Sequence, residues 1–417
     1  MNVHDSEKIA GILKSEGYAE VGSARDADII VFNTCSIRQK AEQKFFSELG
    51  RIKSLKKRRP DLKIAVAGCI AQQEGANIIN RASYIDYVIG PQNISILKHI
   101  ANSESEHVFT QDNPFITEIE LPVERKDNVR ALVNIMYGCN NFCSYCIVPY
   151  SRGREKSRAS ESIINEIQDL AEMGYKETTL LGQNVNSYQS DVDFPELLKK
   201  INKIEGISRI RFVTSHPKDL SDELIYTIRD LDKVCKHIHL PLQSGSSKIL
   251  GLMNRRYTRE DYLKKIDKLR TEIPEIAITS DIIAGFPQET DEDHNMTIRT
   301  LKEIGFDGIF AFKFSPRPKT KASTMEGQLS DDIKSIRLSE ILEIQNKITE
   351  RKNKELKGTI QEVLIEGEDE KITGKLSGRT STNKIVHIPY KNTIRAGDSV
   401  RVKIINAFRH SIEGDII

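Results

Sequence analysis

The first part of the chain alternates between strand-like and helix-like patterns of apolar residues. Apolar side chains at helical spacing predict an opening helix at residues 6–14. Continuous apolar runs predict strands at residues 28–33, 63–67 and 84–88. Polar stretches between them predict helices at residues 39–55 and 73–80, the first with Ser36 as a candidate cap. This alternation predicts a parallel α/β sheet, in which ligands gather at the carboxyl ends of the strands.

The alternation returns after a polar segment with two prolines, residues 104–128, which we interpret as a linker. Six further apolar runs predict strands at residues 130–137, 178–182, 207–214, 236–242, 276–284 and 308–314. Helical patterns lie between them, for example at residues 161–173 and 257–271. Six strand–helix units over residues 129–330 predict an incomplete parallel (β/α)6 barrel with its site at the carboxyl ends of the strands.

The last part of the chain changes character. Residues 331–357 form a long charged pattern with Ile and Leu at helical spacing, which predicts a connecting helix. Short β-type runs follow at residues 359–365, 372–376, 384–388 and 399–405. They predict a small β-barrel over residues 358–417. The chain therefore divides into α/β domains at residues 1–103 and 129–330 and this C-terminal barrel.

Composition narrows the class of protein. The 417 residues are 38% hydrophobic and 29% charged, as in globular proteins, and 62 basic residues nearly balance 60 acidic ones. No apolar run is long enough to span a membrane, so we expect no membrane partner. The first residues lack a secretory signal pattern. Six cysteines, three of them clustered, indicate metal binding in a reducing compartment, and hence a cytoplasmic location.

The clustered cysteines are Cys139, Cys143 and Cys146, which directly follow the first predicted strand of the central domain. A mononuclear zinc site requires four ligands, usually from two separated pairs, and no second pair follows. A bacterial ferredoxin run has a fourth cysteine shortly after the third and a different first spacing. Three thiolates on a four-iron cluster would leave one iron open to another ligand. The open iron is the predicted centre of the chemistry.

The C-x3-C-x2-C spacing, with Tyr145 just before the last cysteine, resembles the radical S-adenosylmethionine (SAM) superfamily. The resemblance implies that Cys139, Cys143 and Cys146 hold a 4Fe-4S cluster and are the catalytic residues. It also implies that the open iron binds SAM and that Tyr145 lies at this site. The alternative from spacing alone is a structural cluster or a zinc knuckle.

Cys35 and Cys69 end the first two predicted strands, and the segments 33–38 and 68–72 resemble the N-terminal domain of methylthiotransferases. A lone buried cysteine is more often an apolar filler. Two cysteines at equivalent ends of neighbouring strands favour the interpretation that both are metal ligands on the same rim of the sheet. The resemblance implies that both bind an auxiliary 4Fe-4S cluster.

One expected feature of that domain is not found in the chain. Relatives begin with a strand and a Gly-Cys-Gln-Met-Asn turn, and residues 1–7 look like the tail of that turn. The first strand and the first auxiliary ligand would then be missing, and Cys235, at the start of a later strand, is badly placed to replace it. We expect that the start codon has been assigned too late, because losing the strand would expose an apolar edge.

Polar residues follow several strands of the central domain. The segments 182–188, 214–217, 241–246 and 284–287 each resemble the corresponding methylthiotransferase segment. We expect the cofactor-binding residues among them to be Gly182, Gln183, Asn184 and Ser244. From chemistry alone the first of these segments could be an ordinary turn. We interpret His237 and His239 as packed rather than ligating, and residues 152–155 as either a solvated face or a contact to substrate phosphate.

The C-terminal barrel carries a local excess of basic residues. Between residues 371 and 410 the basic residues are opposed by few acids, which suits a phosphate backbone. The segment 376–380 with Asn383 and Lys384 resembles the TRAM domain, an RNA-binding barrel. We expect RNA contacts at Arg379, Lys384, Arg401 and Arg409. The alternative is a solvated basic surface.

The resemblance spans the whole chain and implies a function. Segments 182–188 and 253–259 look most like the family members that methylthiolate C2 of N6-isopentenyladenosine at position 37 of tRNA. The implied cofactors are two 4Fe-4S clusters and SAM. The implied partners are tRNA, through its anticodon-loop adenosine, and an electron donor such as flavodoxin or ferredoxin. We expect the protein to be a monomer. Alternatives are methylthiolation of threonylcarbamoyladenosine or of a ribosomal-protein aspartate, or an impaired RNA- and cluster-binding protein.

Overall fold

A computed structural model describes residues 1–35, 39–99 and 107–417, so the candidate cap Ser36 lies outside the described residues. The N-terminal domain contains α1 (Asn2–Ser15), β1 (Ile29–Thr34), α2 (Gln39–Arg58), β2 (Lys63–Gly68), α3 (Cys69–Glu74), α4 (Ala76–Arg81), β3 (Tyr87–Ile89) and β4 (Val108–Phe109). The strands form one parallel sheet in the order β1-β2-β3-β4, as the alternation predicts.

Two features of this domain differ from the sequence-based expectation. The single helix expected at residues 73–80 is two helices: α3 already begins at Cys69, and the chain turns at Gly75, whose φ of 51° is readily adopted by glycine. The sheet also continues into β4, which lies within the segment interpreted as a linker. An apolar layer that includes Phe45, Leu49 and Val66 packs on one face of the sheet.

The central domain is an open half-barrel. Its elements are β5 (Arg130–Asn134), β6 (Met136–Tyr137), α5 (Val148–Ser151), β7 (Lys156–Ser157), α6 (Ser160–Glu172), β8 (Glu177–Leu181), α7 (Phe194–Asn202), β9 (Arg209–Phe212), α8 (Asp222–Asp230), β10 (His237–His239), α9 (Ser247–Leu252), α10 (Arg259–Glu272), β11 (Ala277–Ala284), α11 (Asp291–Ile304) and β12 (Gly308–Lys313). Parallel sheets β5-β8-β9 and β10-β11-β12 are joined through a bridge between Ile210 and Val234. The predicted incomplete parallel barrel is confirmed.

The helices of the half-barrel lie where their apolar faces can be buried. In α6, for example, Ile163, Ile167 and Leu170 recur at helical spacing and belong to the central core. Helix α10 begins with a capping box between Thr258 and Asp261, which satisfies free backbone amides of its first turn. Short 3-10 helices lie at Ile94–His99, Val185–Ser187, Pro217–Asp219 and Lys321–Ser323.

The C-terminal domain is a closed five-stranded barrel that follows the connecting helix α12 (Asp331–Glu355). Its strands are β13 (Ile360–Glu368), β14 (Lys375–Thr380), β15 (Ile385–Pro389), β16 (Ser399–Ala407) and β17 (Ile412–Ile416). Four strands are expected from the sequence, and β17 is the addition that closes the barrel. Within the described residues, no helix combines the length and apolar composition needed to cross a membrane.

The C-terminal barrel docks on the amino ends of the half-barrel strands. Arg211 on β9 forms a buried bidentate pair with Glu177 on β8, at 3.1 Å for both contacts, and also donates to the carbonyls of Thr380 and Ser381. Its neighbour Arg209 donates to the side chain of Glu362 at 3.2 Å. The barrel therefore closes one end of the half-barrel and leaves the opposite end, at the carboxyl ends of the strands, for a ligand site.

Candidate active site

The loop that carries Cys139, Cys143 and Cys146 leaves the short strand β6 through Gly138. Gly138 has a φ of 71°, and a Cβ there would lie 2.0 Å from the carbonyl oxygen of Arg154, so only glycine fits this turn. The backbone of Cys139 bonds to that of Gly153 at 3.2 Å, and Cys146 N–H donates to the Cys143 carbonyl at 2.9 Å. The loop is therefore fixed by its own backbone and by the segment that follows it.

Cys143 lies close enough to the other two thiols to raise the pKa of both beyond the effect of burial. Burial, and then the neighbouring Cys143, raise the pKa of Cys146 to about 12. Burial likewise raises the pKa of Cys139. Metal ligation deprotonates a thiol outright, so these groups would lose their protons on binding iron.

Among the described residues, no three His, Cys, Asp or Glu side chains converge on a point where one metal ion could be held. A zinc site needs ligand sulfurs at about 2.3 Å from one shared ion. A four-iron cluster is wider than one ion and takes each thiolate at a different iron.

Unpartnered polar atoms line the carboxyl ends of four half-barrel strands. Within the described residues, both polar atoms of the Asn134 and Gln183 side chains are buried without a hydrogen-bond partner, as are Gln243 Oε1, Ser215 Oγ and His216 Nε2. Buried polar atoms without partners cost about 1–3 kcal/mol each, so they indicate a missing polar ligand. A ligand with amino, carboxylate and nucleoside groups, such as SAM, fits this set of donors and acceptors.

The other predicted cofactor-binding residues, Gly182, Asn184 and Ser244, lie on the same rim but differ in their hydrogen bonds and in the space around them. Gly182 has no room for a side chain, because a Cβ would lie 2.5 Å from Met136 Cγ. Asn184 Nδ2 donates to Asp219 at 2.7 Å, which leaves its oxygen unpartnered among the described residues. Ser244 is buried and its hydroxyl accepts from Ser246 N–H at 3.2 Å, so it shapes the loop after β10.

His216 stays neutral at the rim. Burial, and then the charges of Arg255, Lys218 and Arg256, lower its pKa to about 2. Its Nδ1 accepts from the backbone N–H of Lys218, so Nε2 faces the rim without a partner in the described structure. His237 and His239, interpreted as packed residues, both bond to the Thr279 hydroxyl, at 3.1 and 3.0 Å.

Cys35 and Cys69 lie at adjacent strand ends, as the sequence pattern suggests. Thr34 and Gly68 are partners in the β1–β2 register, and each cysteine is the next residue along its chain. Helix α3, which begins at Cys69, packs against α5 beside the cysteine loop. The two cysteine groups therefore face one interface between the N-terminal and central domains.

The structure gives Arg152 a role at this interface that sequence reasoning left open. Its buried guanidinium pairs with Asp5 at 2.6 Å and contacts the Cys69 thiol. Arg152 is therefore neither a solvated residue nor one free for phosphate. The neighbouring Arg154 is exposed and stacks on Phe142, with its guanidinium carbon 4.3 Å from the ring centre.

The four predicted RNA contacts separate into two pairs. Arg379 pairs with Glu366 at 2.8 Å, and Lys384 pairs with Asp307 of the half-barrel at 3.2 Å, both on the docked side of the C-terminal barrel. Arg401 and Arg409 are exposed. The exposed pair is thus the one that an RNA could reach without displacing an ion pair.

Sequence reasoning missed Arg255. Its buried guanidinium donates to the Cys143 sulfur and to the Tyr145 hydroxyl in the cysteine loop. Tyr145, the predicted aromatic neighbour of the cluster, is therefore held by this arginine. Nothing in the hydrophobic pattern marks Arg255, because it lies in an irregular turn between α9 and α10. In the sequence, segment 253–259 is marked only by its likeness to methylthiotransferases.

Comparisons with known proteins agree with this architecture. Residues 133–301 match the Radical SAM superfamily, residues 1–90 match uncharacterized protein family UPF0004 and residues 354–417 match the TRAM domain. In solved structures, the radical SAM methyltransferase TsrM from Kitasatospora setae aligns with a TM-score of 0.57 at 15% identity, covering 75% of this chain and 66% of that one. At that identity the likeness shows the fold alone.

Several relatives match the entire chain. A protein named tRNA-2-methylthio-N(6)-dimethylallyladenosine synthase from Thermodesulfovibrio yellowstonii is 59% identical over 100% of this chain and 96% of its own length. One of the same name from Thermoanaerobacter pseudethanolicus is 50% identical over 100% of this chain and 90% of its own length. The family predicted from the sequence is confirmed: the chain belongs to the methylthiotransferase family of radical SAM enzymes, among the tRNA-2-methylthio-N(6)-dimethylallyladenosine synthases.

Proposed function

We propose that the protein transfers a methylthio group to C2 of N6-isopentenyladenosine at position 37 of tRNA. The observation that carries this proposal is the cysteine loop at the mouth of the half-barrel, beside a rim of unpartnered polar groups. The C2–H bond of an adenine ring offers no acidic proton, so acid–base catalysis by side chains does not suffice and a cofactor must carry the step.

The chain's own residues would bind and orient the reactants. Cys139, Cys143 and Cys146 would hold a 4Fe-4S cluster, and Gln183 and Asn184 would orient SAM through amide hydrogen bonds. When bound, these groups supply a one-electron reductant and a carbon-centred radical able to take hydrogen from an aromatic carbon.

An auxiliary 4Fe-4S cluster at Cys35 and Cys69 is the second part of the proposal. Support comes from the paired strand ends and from the basic residue Arg152 beside Cys69, which would offset the charge of a thiolate. Helix α3, which begins at Cys69, packs against α5 just after the radical-site loop, and a sulfur donor would be needed near that loop.

Substrate and donor binding follow from the remaining surfaces. Arg401 and Arg409, on the exposed side of the C-terminal barrel, would contact tRNA phosphates, which bind basic side chains without reading sequence. Arg379 and Lys384 would support the same surface from its docked side. We propose a cytoplasmic monomer reduced by a flavodoxin- or ferredoxin-type carrier, with functional domains at residues 1–109, 129–330 and 358–417; the first extends beyond residue 103 because β4 joins its sheet.

Nucleoside mass spectrometry of tRNA from a strain lacking the gene tests this function. We expect 2-methylthio-N6-isopentenyladenosine to disappear and N6-isopentenyladenosine to accumulate. The unsubstituted gene should restore the modification, and Cys139→Ala should not, whereas Cys235→Ala, which alters a buried thiol far from the loop in sequence, should restore it. Unchanged modification in the deletion strain would reject the proposal.

A further inference from the structure

The guanidinium of Arg255 lies buried beneath the cysteine loop, with 3% of the residue exposed. Its Nη1 donates to Cys143 Sγ at 3.3 Å and to Tyr145 OH at 3.4 Å. Its Nη2 donates to the carbonyl of Pro241 at 3.0 Å, and Nε donates to Tyr257 OH at 2.9 Å. Each nitrogen of the guanidinium is therefore fixed, and one points at a cysteine sulfur.

Arg255 lacks the buried carboxylate partner that three other buried arginines of this chain have. Arg152, Arg211 and Arg337 each pair with a buried carboxylate at 3.1 Å or less. Among the described residues, the groups bonded to the Arg255 guanidinium are a thiol, two phenols and a carbonyl. A buried cation without an anion is strongly unfavourable, so this geometry points to an anion that arrives with the ligand of the cysteine loop.

The backbone around Arg255 holds its side chain against the cysteine loop. Asn254 and Arg256, on either side, both have a φ of 58°, a left-handed conformation that costs a non-glycine residue about 1 kcal/mol or more. The same turn receives two hydrogen bonds from Ser144, one of them from its N–H to the Met253 carbonyl at 3.0 Å. The strained turn and the cysteine loop thus form one hydrogen-bonded unit.

We propose that Arg255 is a positioning residue that sets the reduction potential of the radical-site cluster. The inference rests on the proposed function, because it requires a 4Fe-4S cluster at Cys139, Cys143 and Cys146. A one-electron donor adds one electron to the cluster, no bond breaks and the negative charge at the thiolates increases. A fixed positive charge bonded to one ligand sulfur in a buried site stabilises that reduced state.

A redox titration followed by the electron paramagnetic resonance of the reduced cluster tests the proposal without any turnover. The full chain carries Cys35→Ala and Cys69→Ala, so that one cluster contributes the signal, and dithionite is the reductant. We expect Arg255→Gln to lower the reduced-to-oxidised ratio at a given potential at least tenfold, which is about 59 mV for a one-electron couple. Arg255→Lys, which keeps the charge, should remain within about threefold of the parent protein, or about 28 mV on the same scale.

The matched control is Arg256→Gln, the same substitution one residue along at an exposed side chain, where solvent screens the charge. It should leave the midpoint potential unchanged. A parental midpoint in Arg255→Gln with about four irons bound would overturn the proposal. If Arg255→Gln holds no iron, Arg255→Lys decides: about four irons and a parental midpoint support the role of the charge, and loss of iron there too overturns it.

The titration distinguishes failure of the proposed role of Arg255 from failure of the proposed function. Absence of any cluster in the parent protein with its three loop cysteines intact would reject the proposed function. Equal midpoints in a cluster-bearing parent and in Arg255→Gln would reject only the role of Arg255.

Discussion

Replacing Arg211 by Met should strongly destabilise the protein, because it leaves a buried charge without a partner. Arg211 is 5% exposed and its bidentate partner Glu177 is 2% exposed, with both contacts at 3.1 Å. Removing one member of a buried ion pair costs about 3–5 kcal/mol. The carbonyls of Thr380 and Ser381 also lose their donors, which places the expected loss towards the upper end of that range.

Urea unfolding followed by far-UV circular dichroism measures this loss, since the chain has no tryptophan for fluorescence. The double variant Arg211→Met/Glu177→Gln removes both charges, so we expect it to lose less stability than the sum of the single variants. Arg299→Met is the matched control, because Arg299 pairs with Glu292 in an exposed position where such a pair contributes about 0–1 kcal/mol. A change below about 1 kcal/mol in Arg211→Met would refute the view that this pair fixes the docked barrel.

Three further predictions concern the site and the core. Cys139→Ala should lower the iron content by about four per chain, while Cys235→Ala should retain it; equal iron in both would contradict the ligand assignment. Gly138→Ala should lose iron because its Cβ would lie 2.0 Å from a backbone oxygen, whereas Gly174→Ala, with a φ of 95° and open space, should bind iron normally. Burial lowers the pKa of His237 to about 3. The neutral imidazole therefore contributes fully to the free energy of unfolding above about pH 6.5, and this contribution falls by about 1.4 kcal/mol per pH unit below that. His237→Gln should therefore lose about 1 kcal/mol less between pH 6.5 and pH 5.5 in urea unfolding, and an unchanged pH dependence would contradict this.

The sequence predicts most of the fold because strand and helix periodicities are local. The six strands of the half-barrel appear as apolar runs. The run predicted as the first strand, residues 130–137, is two strands in the structure: β5 joins the half-barrel, and β6, which leads into the cysteine loop, pairs with β7 in a separate two-stranded sheet. Strand β17 is missed because its middle residue is Gly414, which interrupts the apolar pattern. That glycine is needed where the barrel closes, since a Cβ would lie 2.3 Å from the Lys403 carbonyl oxygen.

The site is less accessible to sequence reasoning because tertiary contacts decide what a charged residue does. Lys384 and Arg401 look alike in the sequence, but one pairs with Asp307 of the half-barrel and the other is exposed. Arg255 and Arg256 are adjacent, yet left-handed backbone on either side of Arg255 buries one and exposes the other. Charge counting shows how many basic residues a segment has, and only the packing shows which of them remain available to a ligand.

The most direct test of the central claim is an anaerobic assay of the reconstituted protein with SAM, dithionite and tRNA that carries N6-isopentenyladenosine. We predict that 5′-deoxyadenosine is released and that 2-methylthio-N6-isopentenyladenosine forms in the same sample. Cys143→Ala should abolish both products. Release of no 5′-deoxyadenosine by protein that holds iron at Cys139, Cys143 and Cys146 would contradict the account.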